Sequence, residues 1–122
     1  MASNTTHKIY EMAFADVYPL YLKKIMKKGR SEAELIKVIT WLTGLTPKQI
    51  NMHISKKTTF REFFKECRLN SNSKLITGTI CGVRIEAIEE PLMKKIRYLD
   101  KLVDELAKGR PLEKILRSKS TM

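Results

Sequence analysis

Apolar residues recur at helical spacing along most of this chain, and polar start and stop signals cut the pattern into short segments. In the first segment Tyr18, Tyr21, Leu22, Ile25 and Met26 share one arc of a helical wheel turning about 100° per residue, and Lys23, Lys24, Lys27 and Lys28 hold the opposite arc. Asp16 is placed to cap this helix, Pro19 falls inside its first turn and Gly29 ends it. Ser31 and Glu34 then form a capping box, followed by the stripe Leu35, Val38, Ile39 and Leu42 up to Gly44. Thr46, Pro47 and Gln49 repeat the signal, with Leu45 and Ile50 spaced as a hydrophobic staple. Thr59 and Glu62 open a fourth helix that buries Phe60, Phe63, Phe64 and Cys67. From Pro91 to Lys108 a long helix carries Leu92, Ile96, Leu99, Val103 and Leu106 as a seam, Gly109 stops it, and Pro111 starts a short terminal helix.

Two stretches interrupt the pattern. Asn70-Ser71-Asn72-Ser73 reads as a loop and as the best place for a boundary between subdomains. Leu75 to Ile85 is rich in β-branched residues, which favours strands, yet Ile76, Ile80, Val83 and Ala87 also share a helical face, with Gly78 and Gly82 four apart. Cys-Gly is a poor hairpin turn, so the spacing favours helix here, with a short β-hairpin as the alternative. The predicted fold is all-α: about six helices in one domain over residues 1–122, an ordered core at about 9–116, and frayed ends at 1–6 and 118–122.

Composition fits this picture, since 43% hydrophobic and 30% charged residues with five Gly and four Pro describe a globular chain of a length one core can fill. Two cysteines, Cys67 and Cys81, are too few for a disulfide scaffold and are expected to be reduced and unlinked. Residues 1–12 hold no apolar signal-peptide core, and no run of 18 apolar residues occurs, so the expectation is a cytoplasmic protein with no membrane partner.

Charge changes the picture most. The chain has 24 Lys and Arg against 13 Asp and Glu, a net of +11 on 122 residues. Such an excess concentrates polyanions around the molecule. Lys23, Lys24, Lys27, Lys28 and Arg30, with no acid between them, are the candidate nucleic-acid or polyanion site. Lysines outnumber arginines 17 to 7, and arginine is the residue of bidentate phosphate and guanine recognition, so any binding is weak and blind to sequence.

Several blocks resemble a known family. Ala15-Asp16-Val17-Tyr18-Pro19-Leu20-Tyr21, Trp41-Leu42-Thr43-Gly44, Leu75-Ile76-Thr77-Gly78 with Cys81-Gly82-Val83-Arg84, and Ile96-Arg97-Tyr98-Leu99-Asp100-Lys101-Leu102 are similar to the bacterial domain-of-unknown-function family numbered 2200. The similarity spans Ile9 to Leu116 and implies a bacterial single-domain protein, with no activity, substrate or catalytic residue to carry over.

The remaining candidates have ordinary readings. A helix-turn-helix over Ser31 to Ser55 would offer Thr46, Pro47, Lys48, Gln49, Asn51 and Ser55 as readers, but few of these are cations, and a plain helical hairpin is the commoner unit. His7 and His53 lack metal-ligand spacing, and a packed histidine is the expected role of His53 rather than a pair with Cys67. Glu86, Glu89 and Glu90 read as helix-start acids and Cys81 as a small hydrophobe. Trp41, Tyr10, Tyr18, Tyr21 and Tyr98 read as core packing rather than base-stacking platforms. No catalytic, metal or cofactor residue is predicted. The leading reading is a non-enzymatic basic module binding nucleic acid or another polyanion weakly. The alternatives are a small homo-oligomeric interaction domain with incidental charge and, last, an enzyme with an unrecognised pocket.

Overall fold

The computed structural model describes residues 8–117; His7 and the expected frayed ends at 1–6 and 118–122 lie outside the described residues. After a 3-10 turn at Lys8–Glu11 come α1 (Phe14–Met26), α2 (Glu32–Thr43), α3 (Pro47–Lys56) and α4 (Phe60–Lys65). A second 3-10 turn, Ser71–Leu75, leads into a hairpin of β1 (Thr79–Ile80) and β2 (Val83–Arg84), then a third, Ile85–Ala87, before α5 (Pro91–Ala107) and α6 (Leu112–Ile115). The fold is mainly α, as the periodicity implies.

Local signals account for three of the starts. At α2, Ser31 Oγ accepts from the Glu34 N–H at 3.3 Å and the Glu34 carboxylate accepts from the Ser31 N–H at 3.1 Å. Thr46 and Gln49 make the same reciprocal pair at α3, and Thr59 Oγ1 accepts from the Glu62 N–H at α4. Each exchange satisfies amide groups that the first helical turn leaves without partners. Leu45 and Ile50 are both buried, as a staple requires. Gly44 ends α2 at φ +77, and a Cβ there would stand 3.0 Å from the Arg68 carbonyl, so both its backbone angle and its surroundings call for glycine.

The start of α1 departs from expectation. Asp16 is not its cap, because the helix begins at Phe14, with Ala13 in the cap position and no side-chain cap. Instead the Phe14 N–H donates to the Thr58 carbonyl at 2.8 Å, the Phe60 N–H donates to the Met12 carbonyl at 2.9 Å, and Ala13 bridges Thr59. Phe14 stacks on Phe63 at 4.2 Å between ring centroids and meets the edge of Phe60, so burial draws the helix start three residues upstream. Pro19 therefore sits inside the helix rather than in its first turn, on an exposed face. Met26 lies outside the apolar arc, 58% exposed, because Ile25 takes the last interior position before the chain turns at Gly29.

Leu75 to Ile85 is not a helix. Gly78, Cys81 and Gly82 have φ of +105, +53 and +77, angles that a right-handed helix excludes. Cys81 and Gly82 make the two-residue turn of a hairpin in which Thr79 faces Arg84 and Ile80 faces Val83. The glycines grant turn angles instead of helix contact. Ile76, Ile80 and Ile85 are buried, and Lys101 of α5 donates to the Thr79 carbonyl at 3.2 Å. Asn70 to Ser73 does not divide the protein into two cores, since Phe64 before it and Ile76 after it belong to one apolar cluster and Ser73 is itself buried.

At the centre lies α5. Ile96, Leu99, Leu102, Val103 and Leu106 are fully enclosed among α1, α2, α4, α6 and the hairpin, and Leu92, first in the seam, is half-buried. Three tyrosine hydroxyls tie the periphery together: Tyr10 donates to Glu90, Tyr18 to Glu32 at 2.7 Å, and Tyr21 to Asp100 at 2.6 Å.

Leu99→Ala is expected to lower stability by roughly 2–5 kcal/mol, the range for large-to-small changes at enclosed positions. An unchanged urea midpoint would show that Leu99 is not in the core. Burial, then the hydrogen bond to Glu90, pushes the Tyr10 hydroxyl up to about 12; burial also raises Tyr18, Tyr21 and Tyr98. Above pH of about 10 the unfolded chain therefore loses protons that the folded chain keeps, so stability is full below that pH and falls as pH rises toward the folded values. In an alkaline titration, tyrosinate absorbance should appear together with loss of helical circular dichroism. Tyrosinate forming near pH 10 with the helices intact would contradict the burial of these rings.

Candidate functional site

With Phe14, Val17, Tyr18, Tyr21 and Ile25 turned inward, the lysines at the end of α1, Lys23 and Lys24 in its last turn and Lys27 and Lys28 in the turn after it, divide into two sets. Lys23 and Lys27 are exposed on its outer side. Lys24 and Lys28 line a shallow groove of about 580 Å³ with Asp104, Ala107, Lys108 and Gly109, where the ends of α1 and α5 meet. Asp104 bridges that groove, 3.4 Å from Lys24 Nζ and 3.0 Å from Lys108 Nζ. Burial by itself would raise the Asp104 carboxyl, but the two ammonium groups outweigh it and hold the acid below its usual range. Lys23, Lys27 and Lys28 have no acidic partner among the described residues.

Arg30 does not join them. Its guanidinium, 14% exposed, pairs with Glu34 at 3.1 Å and donates to the Arg110 carbonyl at 2.8 Å. It thereby ties the start of α2 to the chain leaving α5, and its donors are spent on protein. Lys108 takes the place that the sequence pattern gave Arg30. Its only sequence signal is a lysine at the end of a helix, and α1–α5 packing supplies the rest. Both helices point C-terminal ends at this groove, and the partial negative charge there attracts lysines for reasons of fold alone.

The aromatic residues offer no stacking platform in this conformation. Tyr10, Tyr18, Tyr21 and Tyr98 are all buried, and Trp41 is half-buried with its indole N–H enclosed. In the α2–α3 segment, Thr46 and Gln49 have their side chains occupied in capping each other, and α3 turns Ile50 and His53 inward and packs chiefly on α1, so the expected helical hairpin of α2 and α3 does not form.

His53 is a packed histidine: Nδ1 lies 2.9 Å from Thr58 Oγ1, Nε2 lies 3.0 Å from a Glu66 carboxylate oxygen, and the ring meets Phe63 edge-on. Cys67 donates its thiol to the Phe63 carbonyl at 3.1 Å, and burial pushes that thiol up to about 12. The acids before α5 do not cap it. Glu90, in the cap position, makes no side-chain cap bond and accepts from Tyr10 instead. Glu86 accepts from the Gly78 N–H at 3.1 Å, and backbone N–H groups hold its carboxyl below the usual range. Tertiary demand for acceptors at the hairpin and at Tyr10 overrides the helix end. Among the described residues no three His, Cys, Asp or Glu side chains are arranged to hold a metal ion.

Both cysteines are free. Cys81 is exposed at the hairpin tip, beside a crevice of about 220 Å³ lined by Leu20, Tyr21, Ile80, Asp100 and Val103, whereas Cys67 is half-buried. Iodoacetamide at neutral pH should add one group to the native protein, on Cys81, and a second only in denaturant. Equal native labelling of both thiols, or an intact bridge between them, would contradict this assignment.

Comparison with known proteins places this architecture. A family described as "Uncharacterized protein conserved in bacteria (DUF2200)" matches residues 8–117. Among solved structures, the crystal structure of uncharacterized protein SP1917 is similar at a TM-score of 0.88 and 38% identity, covering 96% of this chain and 97% of that one. No curated protein matches. A match running from the first 3-10 turn to the end of α6, with a solved structure that shares the fold over nearly its whole length, makes this chain a member of the bacterial family DUF2200.

Proposed function

We propose that this protein is a non-enzymatic basic module that binds duplex nucleic acid weakly and without reading its sequence, through Lys23, Lys24, Lys27 and Lys28. The observation that carries this reading is the fixed end of α1. Lys23, Lys27 and Lys28 are exposed there without acidic partners among the described residues, beside Lys24 and Lys108. Held in the last turn of a packed helix and in the hydrogen-bonded turn that follows it, these charges meet a phosphate backbone with little ordering cost beyond their own side chains. Lysine is a point charge with no fork to match a base edge, which favours backbone contact over base readout. The negative ends of α1 and α5 and the Asp104 carboxylate subtract from the field, so the affinity is low. No helix among the described residues is long and apolar enough to cross a membrane, and the two free thiols suit a reducing cytoplasm.

Fluorescence anisotropy with a labelled random-sequence duplex, over a series of salt concentrations, tests this. Each neutralised phosphate contributes about −0.9 to the slope of log affinity against log salt, so three or four contacts imply a slope of about −3 to −4. Changing Lys23, Lys24, Lys27 and Lys28 to Gln should flatten that slope while circular dichroism stays unchanged, since all four are exposed. Absence of salt-sensitive binding by the unaltered protein at low ionic strength would reduce the lysine face to solvated surface and leave the homo-oligomeric interaction domain as the better reading.

A further inference from the structure

The groove at the ends of α1 and α5 contains its own competitor for phosphate. Asp104 is a short, largely enclosed side chain on the central helix, 14% exposed, and it has no room to withdraw. The ammonium groups it holds sit on long, mobile stems, Lys24 at 47% and Lys108 at 73% exposure. A phosphate that takes either lysine must break an existing ion pair and then stand beside a carboxylate held in its charged form. Lys28, on the same groove, has no ion pair to break, and Lys23 and Lys27 lie outside the groove that Asp104 lines. The Asp104 bridge is also not the sole tie between these helices, because Tyr21 joins α1 to Asp100 one turn earlier and Val103 and Leu106 are buried in the core.

We propose that Asp104 is an internal counter-ion that withholds Lys24 and Lys108 from the polyanion, setting the weak affinity of the site. This rests on the duplex-binding reading above. In the native protein Lys23, Lys27 and Lys28 make most of the contact and Lys24 a reduced one; without the carboxylate, Lys24 engages fully and Lys108 joins it.

Asp104→Asn tests this in the same anisotropy titration, with Glu113→Gln as a control of equal charge change at an exposed position on α6. The expected result is several-fold tighter duplex binding by Asp104→Asn than by Glu113→Gln, with a slope steeper by about 1 to 2 units, one per released lysine. Lys108→Gln should then change affinity little in the native background and markedly in the Asp104→Asn background. Circular dichroism confirms that each variant is folded. If the unaltered protein binds with its salt slope and folded Asp104→Asn matches Glu113→Gln, the counter-ion role is overturned and duplex binding stands. If neither the native protein nor Asp104→Asn binds at low salt, both fall. If Asp104→Asn binds and the native protein does not, the counter-ion role holds and native duplex binding is lost. Should Asp104→Asn be unstable, an equal effect of Lys108→Gln and Lys23→Gln in the native background would overturn the proposal by itself.

Discussion

The arrangement rests on the side-by-side, same-direction packing of α1 against α5. Tyr21 meets Asp100, Lys24 meets Asp104, and Arg30 reaches the Arg110 carbonyl, so contacts advance along both helices together. Parallel packing sets two helix C-termini next to each other, and their partial negative charges repel. Cations must answer them. Arg30 does so by direct donation to the Arg110 carbonyl, just past the end of α5, and at longer range to the Leu106 carbonyl in its last turn. Lys24, Lys28 and Lys108 do so through space. The cationic groove is in this sense a consequence of topology, and any ligand it takes exploits a field the fold already requires.

The other end of α1 is fixed by different physics. It has no side-chain cap; a single antiparallel bridge to the α3–α4 connection gives the Phe14 N–H its partner, and Phe14 stacks on Phe63 beside that bridge. Tyrosine–carboxylate bonds then tie the first 3-10 turn and α1 to the start of α5, to α2 and to the middle of α5. Each gives a tyrosine hydroxyl that folding removes from water the acceptor it needs.

Net charge overstates the electrostatic reach of this surface. Of the five cations between Lys23 and Arg30, Arg30 is consumed by Glu34 and backbone carbonyls, and Lys24 is shared with Asp104. Three remain unopposed among the described residues, and two helix ends lie beneath them. A linear run of lysines conceals these differences because wheel position says which way a side chain leaves its own helix and nothing about what waits on the next one.

What the sequence determined by itself was local. Capping pairs at Ser31, Thr46 and Thr59, the stripe of α2 and the seam of α5 are written in residues three and four apart, within reach of a single helical turn, and they appear in the structure where the pattern puts them. Family membership was legible for a related reason, in short runs such as Tyr18-Pro19-Leu20-Tyr21 and Ile96-Arg97-Tyr98-Leu99. Only the tertiary structure decided the start of α1, the hairpin at Cys81 and Gly82, the fate of Arg30 and the pairing of Lys24 with Asp104. Each depends on a partner about 40 or more residues away, or on backbone angles that β-branched composition and helical spacing leave open between two forms. Helix signals act through neighbours on the chain; burial and ion pairing act through neighbours in space, and those exist only once the helices have packed.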